Sequence, residues 1–234
     1  MNTGPDIPGS ERNDSGAIEL SRRPNLLADR QLPPPPQQER SRRARDGLVG
    51  ATLALFKENG YEATTVDEIA RRAGVAVGGF YLHFRSKRQV LQVLMDALLM
   101  ELESRLDALG DATRLPERLL NVGFDSPYAG VYRAWREAAL RDPPIAALDA
   151  EIEAWTSARI AAALRAAAVK PGARTTVDVQ SFAWMLSVWW WRLLENERLD
   201  RDAVTKKAAA LLQSVLFEDG VVPTGIRPPD QATS

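Results

Sequence analysis

Apolar positions recur with helical spacing through most of residues 40–218. Leu48, Ala51, Leu55 and Phe56 make one stripe, and Gly60 follows as a stop signal. Thr65 and Glu68 have the spacing of a capping box. They predict a short helix over 66–73 that Gly74 ends. Ser86 and Gln89 form a second box ahead of Val90, Leu91, Leu94, Ala97 and Leu98. Ser126-Pro127 and Asp142-Pro143 each put a cap before a first-turn proline, predicting helices over 128–140 and 145–167. Lys170-Pro171-Gly172 breaks the chain, and two more helices are expected near 176–195 and 201–217. No segment alternates like a strand and none repeats. The pattern predicts an all-α fold of about nine helices, an N-terminal three-helix bundle followed by a larger helical domain.

The ends differ from the middle. Residues 1–39 hold few aromatics and the proline run 33–36, and are expected to be a disordered tail. The proline run itself is expected to be extended and to serve as a linker, with docking to a proline-binding domain as the alternative. Residues 219–234 read as a second, flexible tail. Between them we divide the chain into 40–92 and 93–218. No apolar run is long enough to span a bilayer, and 1–23 lacks the pattern of a signal peptide, so no membrane role and a cytoplasmic site are expected. Cysteine is absent and there is one histidine. Thiolate metal sites are thereby excluded, and nucleophilic triads and histidine-rich metal centres have almost no material. Phosphate-binding loops of the Walker and GxGxxG kinds are also absent. No enzyme, cofactor or metal is expected.

Net charge is −1, but its distribution is uneven. Between Arg40 and Gln92 ten lysines and arginines face five acidic residues. Such a local basic excess is the footprint of a nucleic-acid surface, or else an ordinary solvated helix face. In the same stretch, two short helices over 66–73 and 77–84 flank the turn Gly74-Val75-Ala76. Ile69, Ala70, Val75, Phe80 and Phe84 have the spacing to share a core with Leu55 and Phe56. The outer face of the second helix is then free for a major groove, which admits a helix.

The run Thr65-Val66-x-x-Ile69-Ala70-x-x-Ala73-Gly74-Val75-x-x-Gly78-x-Phe80-Tyr81-x-His83-Phe84-x-Ser86-Lys87 resembles the DNA-binding signature of TetR-type regulators, across about 43–91. The resemblance implies that Thr65 caps its helix and offers its hydroxyl to a phosphate. It implies that Tyr81 meets a phosphate or a thymine methyl, that His83 sits at the DNA backbone and that Lys87 pairs with a phosphate. Each has an alternative: Tyr81 as a half-buried core tyrosine, His83 as a structural histidine, Lys87 as a solvated lysine. A lysine in the first turn of a helix opposes the helix dipole, which favours an external anion partner.

One departure stands out. The recognition helix opens Ala76-Val77-Gly78-Gly79, with no bidentate donor for a base edge. Gly78 and Gly79 are expected to permit close backbone approach. Discrimination is then expected from Val77 and Tyr81 against thymine methyls, from DNA shape, and from an arginine arm containing Arg42, Arg43 and Arg45. The expected ligand is a double-stranded operator, bound with strong salt dependence.

Six tryptophans lie at 135, 155, 184, 189, 190 and 191, all after the DNA-binding segment. Successive helical residues turn by about 100°, so Trp189-Trp190-Trp191 must meet at least two environments. We take one to be a core or cavity and the other a subunit interface. The resemblance implies that the last two long helices form a homodimer interface, with Trp190, Trp191, Leu194 and Leu212 as candidates. It also implies a small-molecule pocket in the middle helices, for which Phe124, Tyr128, Trp135, Trp155, Phe182 and Trp184 are candidates or simply core aromatics. The implied function is a repressor released from its operator by a lipophilic or aromatic effector. The alternatives are control by a protein partner, for instance through the N-terminal tail, and, further off, a non-DNA scaffold or an enzyme.

Overall fold

The computed structural model describes residues 23–27, 38–108, 122, 126–128, 130–169, 177–195 and 200–217. Among the described residues there are eight helices and no strand. They are α1 (Glu39–Ala63), α2 (Val66–Arg72), α3 (Val77–His83), α4 (Lys87–Asp107), α5 (Val131–Ala139), α6 (Pro143–Ala168), α7 (Val179–Glu195) and α8 (Arg201–Leu216).

Local chemistry sets most helix starts. At α2 the Thr65 hydroxyl accepts from the Glu68 amide, and the Glu68 carboxylate accepts from the Thr65 amide, which completes the capping box. At α4 the Ser86 hydroxyl accepts from the Gln89 amide. The return bond is shifted by one residue, with the Gln89 carbonyl accepting from the Arg85 amide at 2.8 Å. Asp142 and Asp200 cap α6 and α8 in the same way. The stretch after Ser126 begins as a turn, and the helix proper starts only at Val131.

Two expectations about α1 change. It begins at Glu39, so Arg42, Arg43 and Arg45 ride on its first two turns and do not form an extended arm. Gly60 does not end it either. With φ 80° it kinks the helix, and one more turn follows to Ala63. Helix α4 likewise runs unbroken through residue 92, where the sequence suggested a domain boundary.

The core is continuous. Leu48, Phe56, Ile69, Phe80 and Phe84 are buried with Val90 and Leu91 at the start of α4, and Leu98, Leu99 and Leu102 carry the cluster into the second half of the fold. A piece of the expected tail joins it. Leu26 is fully buried, and Arg23 forms ion pairs with Asp96 and Glu103, two turns apart on α4. The sequence missed this because a lone leucine in a polar stretch carries no periodicity.

Candidate functional site

Gly74, with φ 69°, makes the turn between α2 and α3. Phe80 and Phe84 anchor α3 to the core, while Ile69 and Ala70 anchor α2. The opposite face of α3 is left outward. Val77, Gly78, Tyr81 and Leu82 are all exposed there, Tyr81 at 55% and Leu82 at 74%. The Tyr81 ring stands edge-on to Phe80, with centroids 5.4 Å apart, which braces it in this outward position. Leu82 was not among the sequence candidates. Its signal was available, since it lies one turn after Gly78 on the same face.

The two glycines differ. A Cβ at Gly78 would meet nothing within 4 Å, whereas one at Gly79 would lie 3.5 Å from the Val75 side chain. Gly78 therefore answers no packing need within the protein.

His83 is partly covered, and burial first and the nearby Arg45 charge second hold its imidazole below the usual histidine value. The Arg45 guanidinium lies 5.2 Å from the Phe84 ring centroid, so this arginine rests on the helix-turn-helix. Arg42 and Arg43 are exposed and pair with Glu39 at 3.9 and 2.9 Å. The Thr65 hydroxyl is engaged in its own box, since it also donates to Glu68 at 2.9 Å.

Lys87 has an internal task that the sequence did not suggest. Its Nζ donates to the carbonyls of Tyr61 (2.7 Å), Thr64 (2.9 Å) and Glu62 (3.3 Å) and sits over the Tyr61 ring. Desolvation lowers its pKa, and Glu62 and Glu137 partly offset this. Burial in turn pushes the Tyr61 phenol up to about 12.

These bonds are one half of a clamp around the Gly60 kink. The other half comes from α5. The Glu137 carboxylate accepts from the amides of Tyr61 (2.7 Å) and Glu62 (3.0 Å). One turn earlier, Arg133 donates to the carbonyls of Phe56 and Lys57. The pairs Arg141–Glu62 and Arg88–Asp142 flank the same contact. The orphan amides and carbonyls of a broken helix are thus satisfied from two other helices.

A cavity lies among α4, α6 and α7, lined by Leu102, Leu106, Val122, Trp155, Thr156, Ile160, Leu186 and Trp190. Among the described residues that line it none is charged. No grouping of histidine, aspartate and glutamate suited to a metal occurs among the described residues, and no helix there is long and apolar enough to cross a membrane.

The sequence profile for bacterial regulatory proteins of the tetR family matches residues 48–94, which contain this helix-turn-helix. Over that segment the chain is similar to the TetR family. It is 36% identical over 99 residues to the HTH-type transcriptional repressor KstR2 of Mycolicibacterium smegmatis, covering 42% of this chain and 47% of that protein. The chain thus spans less than half the length of that relative. In fold it is similar to GusR of Salmonella enterica (TM-score 0.61, 19% identity, covering 77% of this chain and 98% of that one). It is also similar to SmeT, solved as a complex with triclosan (TM-score 0.60, 22% identity, covering 80% and 98%).

The aromatic candidates scatter. Trp155 lines the cavity. Trp135 is fully buried elsewhere, its Nε1 donating to Asp149 at 3.0 Å. Tyr128 and Phe182 are partly buried against the core, and Phe124 lies outside the described residues. Trp184 is 60% exposed on α7 and faces away from the cavity's lining, which corrects its assignment to the pocket.

The four interface candidates are corrected as well. Trp190, Trp191, Leu194 and Leu212 are all buried within the single chain. Trp190 donates to the Val122 carbonyl at 3.0 Å, and Trp191 stacks on Tyr132 of α5 with centroids 4.1 Å apart. The three consecutive tryptophans do meet different surroundings, but α7 is covered on two sides, so two of those surroundings are interior. The apolar side chains left outward on α7 and α8 are Trp184, Met185, Val188, Leu211 and Val215.

Proposed function

We propose that this chain is a DNA-binding transcriptional regulator, a homodimeric repressor released from its operator by a small lipophilic or aromatic molecule held in the α4–α6–α7 cavity. The observation that carries the reading is the position of α4. Its first residue, Lys87, holds the turn that leads into the helix-turn-helix, and Leu102 and Leu106 near its other end line the cavity. These ends are about 22 Å apart along one helix. A molecule that wedges α4 away from α6 has a direct mechanical route to the spacing of two recognition helices, and so biases a population between two spacings. SmeT, a neighbour in fold, is described with triclosan bound, which is in keeping with a small apolar effector.

On this reading Val77, Gly78, Gly79, Tyr81 and Leu82 face the major groove, while Arg42, Arg43, Arg45, Thr65 and His83 approach the phosphate backbone. Phosphate contacts fix register and base-edge contacts specify sequence. Lys87 acts one step back, by holding the helix-turn-helix in place. The outward side chains of α7 and α8 form the dimer surface, because five large apolar groups on two consecutive helices are costly to leave in water. The protein then works in the cytoplasm, at its operator.

Selection of bound duplexes from a random pool by the full chain tests the reading. The expected product is a paired site with half-sites about one helical turn apart. Failure to enrich any duplex would overturn it. Tight filling of the cavity that leaves operator affinity unchanged would overturn the effector part alone.

A further inference from the structure

One residue of the cavity lining carries an unusual polar group. Trp155 lines the cavity, and its Nε1–H is buried with no acceptor among the described residues. A buried amine proton without a partner is uncommon and costly. The other polar groups of the lining are already engaged. The Trp190 Nε1–H donates to the Val122 carbonyl at 3.0 Å, and the Thr156 hydroxyl donates to the Ile152 carbonyl at 2.8 Å. The nearest cation on the same helix, Arg159, is itself buried, forms an ion pair with Asp107 and is not part of the lining.

We infer that the effector is an uncharged, mainly hydrocarbon molecule carrying one hydrogen-bond acceptor, such as a ketone, ester or ether oxygen, which takes the proton of Trp155 Nε1. This rests on the effector reading above and narrows it. A hydrocarbon fills the lining but leaves the indole proton unpaired. A carboxylate supplies an acceptor but brings a charge that no described lining residue neutralises. A molecule whose polar group is solely a donor finds the tryptophan protons opposed to it.

The test uses three probes of one shape on the full chain: cyclooctanone, cyclooctane and cyclooctanecarboxylate. Binding is followed by tryptophan fluorescence and calorimetry in wild-type protein, Trp155→Phe and Trp190→Phe. Water solvates the ketone better than the alkane, so the informative quantity is the change in their affinity ratio between variants. Trp155→Phe is expected to weaken cyclooctanone about five- to tenfold, the worth of one net hydrogen bond, while cyclooctane is unchanged or tighter. Trp190→Phe, which removes a proton already engaged with Val122, is expected to leave the ratio alone. The carboxylate is expected to bind at least tenfold more weakly than the ketone. In ¹⁵N-labelled protein the indole resonance that Trp155→Phe removes is expected to move downfield with cyclooctanone and not with cyclooctane.

An unchanged ketone-to-alkane ratio in Trp155→Phe, or a carboxylate that binds as well as the ketone, overturns the acceptor inference and leaves the cavity reading standing. No binding of any probe up to its solubility overturns both.

Discussion

The Gly78→Ala substitution separates what α3 needs for folding from what it needs for DNA. The added methyl group meets nothing within 4 Å, and the backbone there is ordinary helix. Alanine is favoured over glycine in helices by up to about 1 kcal/mol. Gly78 is the second residue of a seven-residue helix, so a fraction of that gain is realised. For a chain of this size the melting temperature is expected to rise by about 1–3 °C. On the outer face of α3, the same methyl group lies where the backbone would approach the major groove. Operator affinity is expected to fall at least about tenfold, or about 1.4 kcal/mol. Calorimetry and fluorescence anisotropy at one fixed salt concentration read the two effects. Gly79→Ala is the control, because its methyl group packs at ordinary distance on Val75 and its loss of affinity is expected to be smaller. A Gly78→Ala protein that is more stable and binds operator as tightly as wild type would refute the close-approach argument. A drop in melting temperature would refute the reading of an open outer face.

Three other outcomes are expected. Leu26→Ala removes a fully buried side chain and should cost about 2–5 kcal/mol, lowering the melting temperature by several degrees, whereas an unchanged temperature would mean that 23–27 does not dock on α4. His83 has a folded-state pKa below its unfolded value, so its contribution to stability is present above about pH 6.5 and lost as pH falls through the lower folded pKa. Nearby phosphates act in the opposite direction, so operator affinity is expected to rise as pH falls from about 7.5 to 6, and pH titrations of His83→Gln should lose that slope. Arg42→Ala and Arg43→Ala are each expected to reduce the salt slope of operator binding by about one, uniformly across sequences, and a slope equal to wild type would remove that residue from the DNA surface.

The helix-turn-helix was legible because its signals are local. A capping box, a left-handed glycine and the phenylalanine spacing of α3 each act within a few residues, so tertiary context had little to override. The later helices were legible as helices but not in their facing. Trp190 and Trp191 looked like interface residues because a run of tryptophans exceeds one helix face. The structure covers α7 on two sides, by α6 and α5, and absorbs them. The Gly60 clamp was invisible for a different reason. Arg133 and Glu137 stand four residues apart, the spacing of an ordinary pair along one helix. In the folded chain they turn instead to the backbone of α1, more than seventy positions earlier. The cavity was half legible. Trp155 was named, but its aliphatic neighbours came from three helices that no sequence window brings together.

The Gly60 clamp also bears on how the molecule unfolds. The amides of Tyr61 and Glu62 are completed by α5, and the carbonyls of Tyr61, Glu62 and Thr64 by α4. An isolated fragment ending near residue 92 would keep Lys87 but lose Glu137 and Arg133, leaving bare backbone groups beside its helix-turn-helix. The N-terminal helices are therefore expected not to fold as an autonomous unit. The two ends are expected to share one cooperative transition and to melt together in a single calorimetric peak. A change that loosens α5 is then expected to loosen the helix-turn-helix at the same moment.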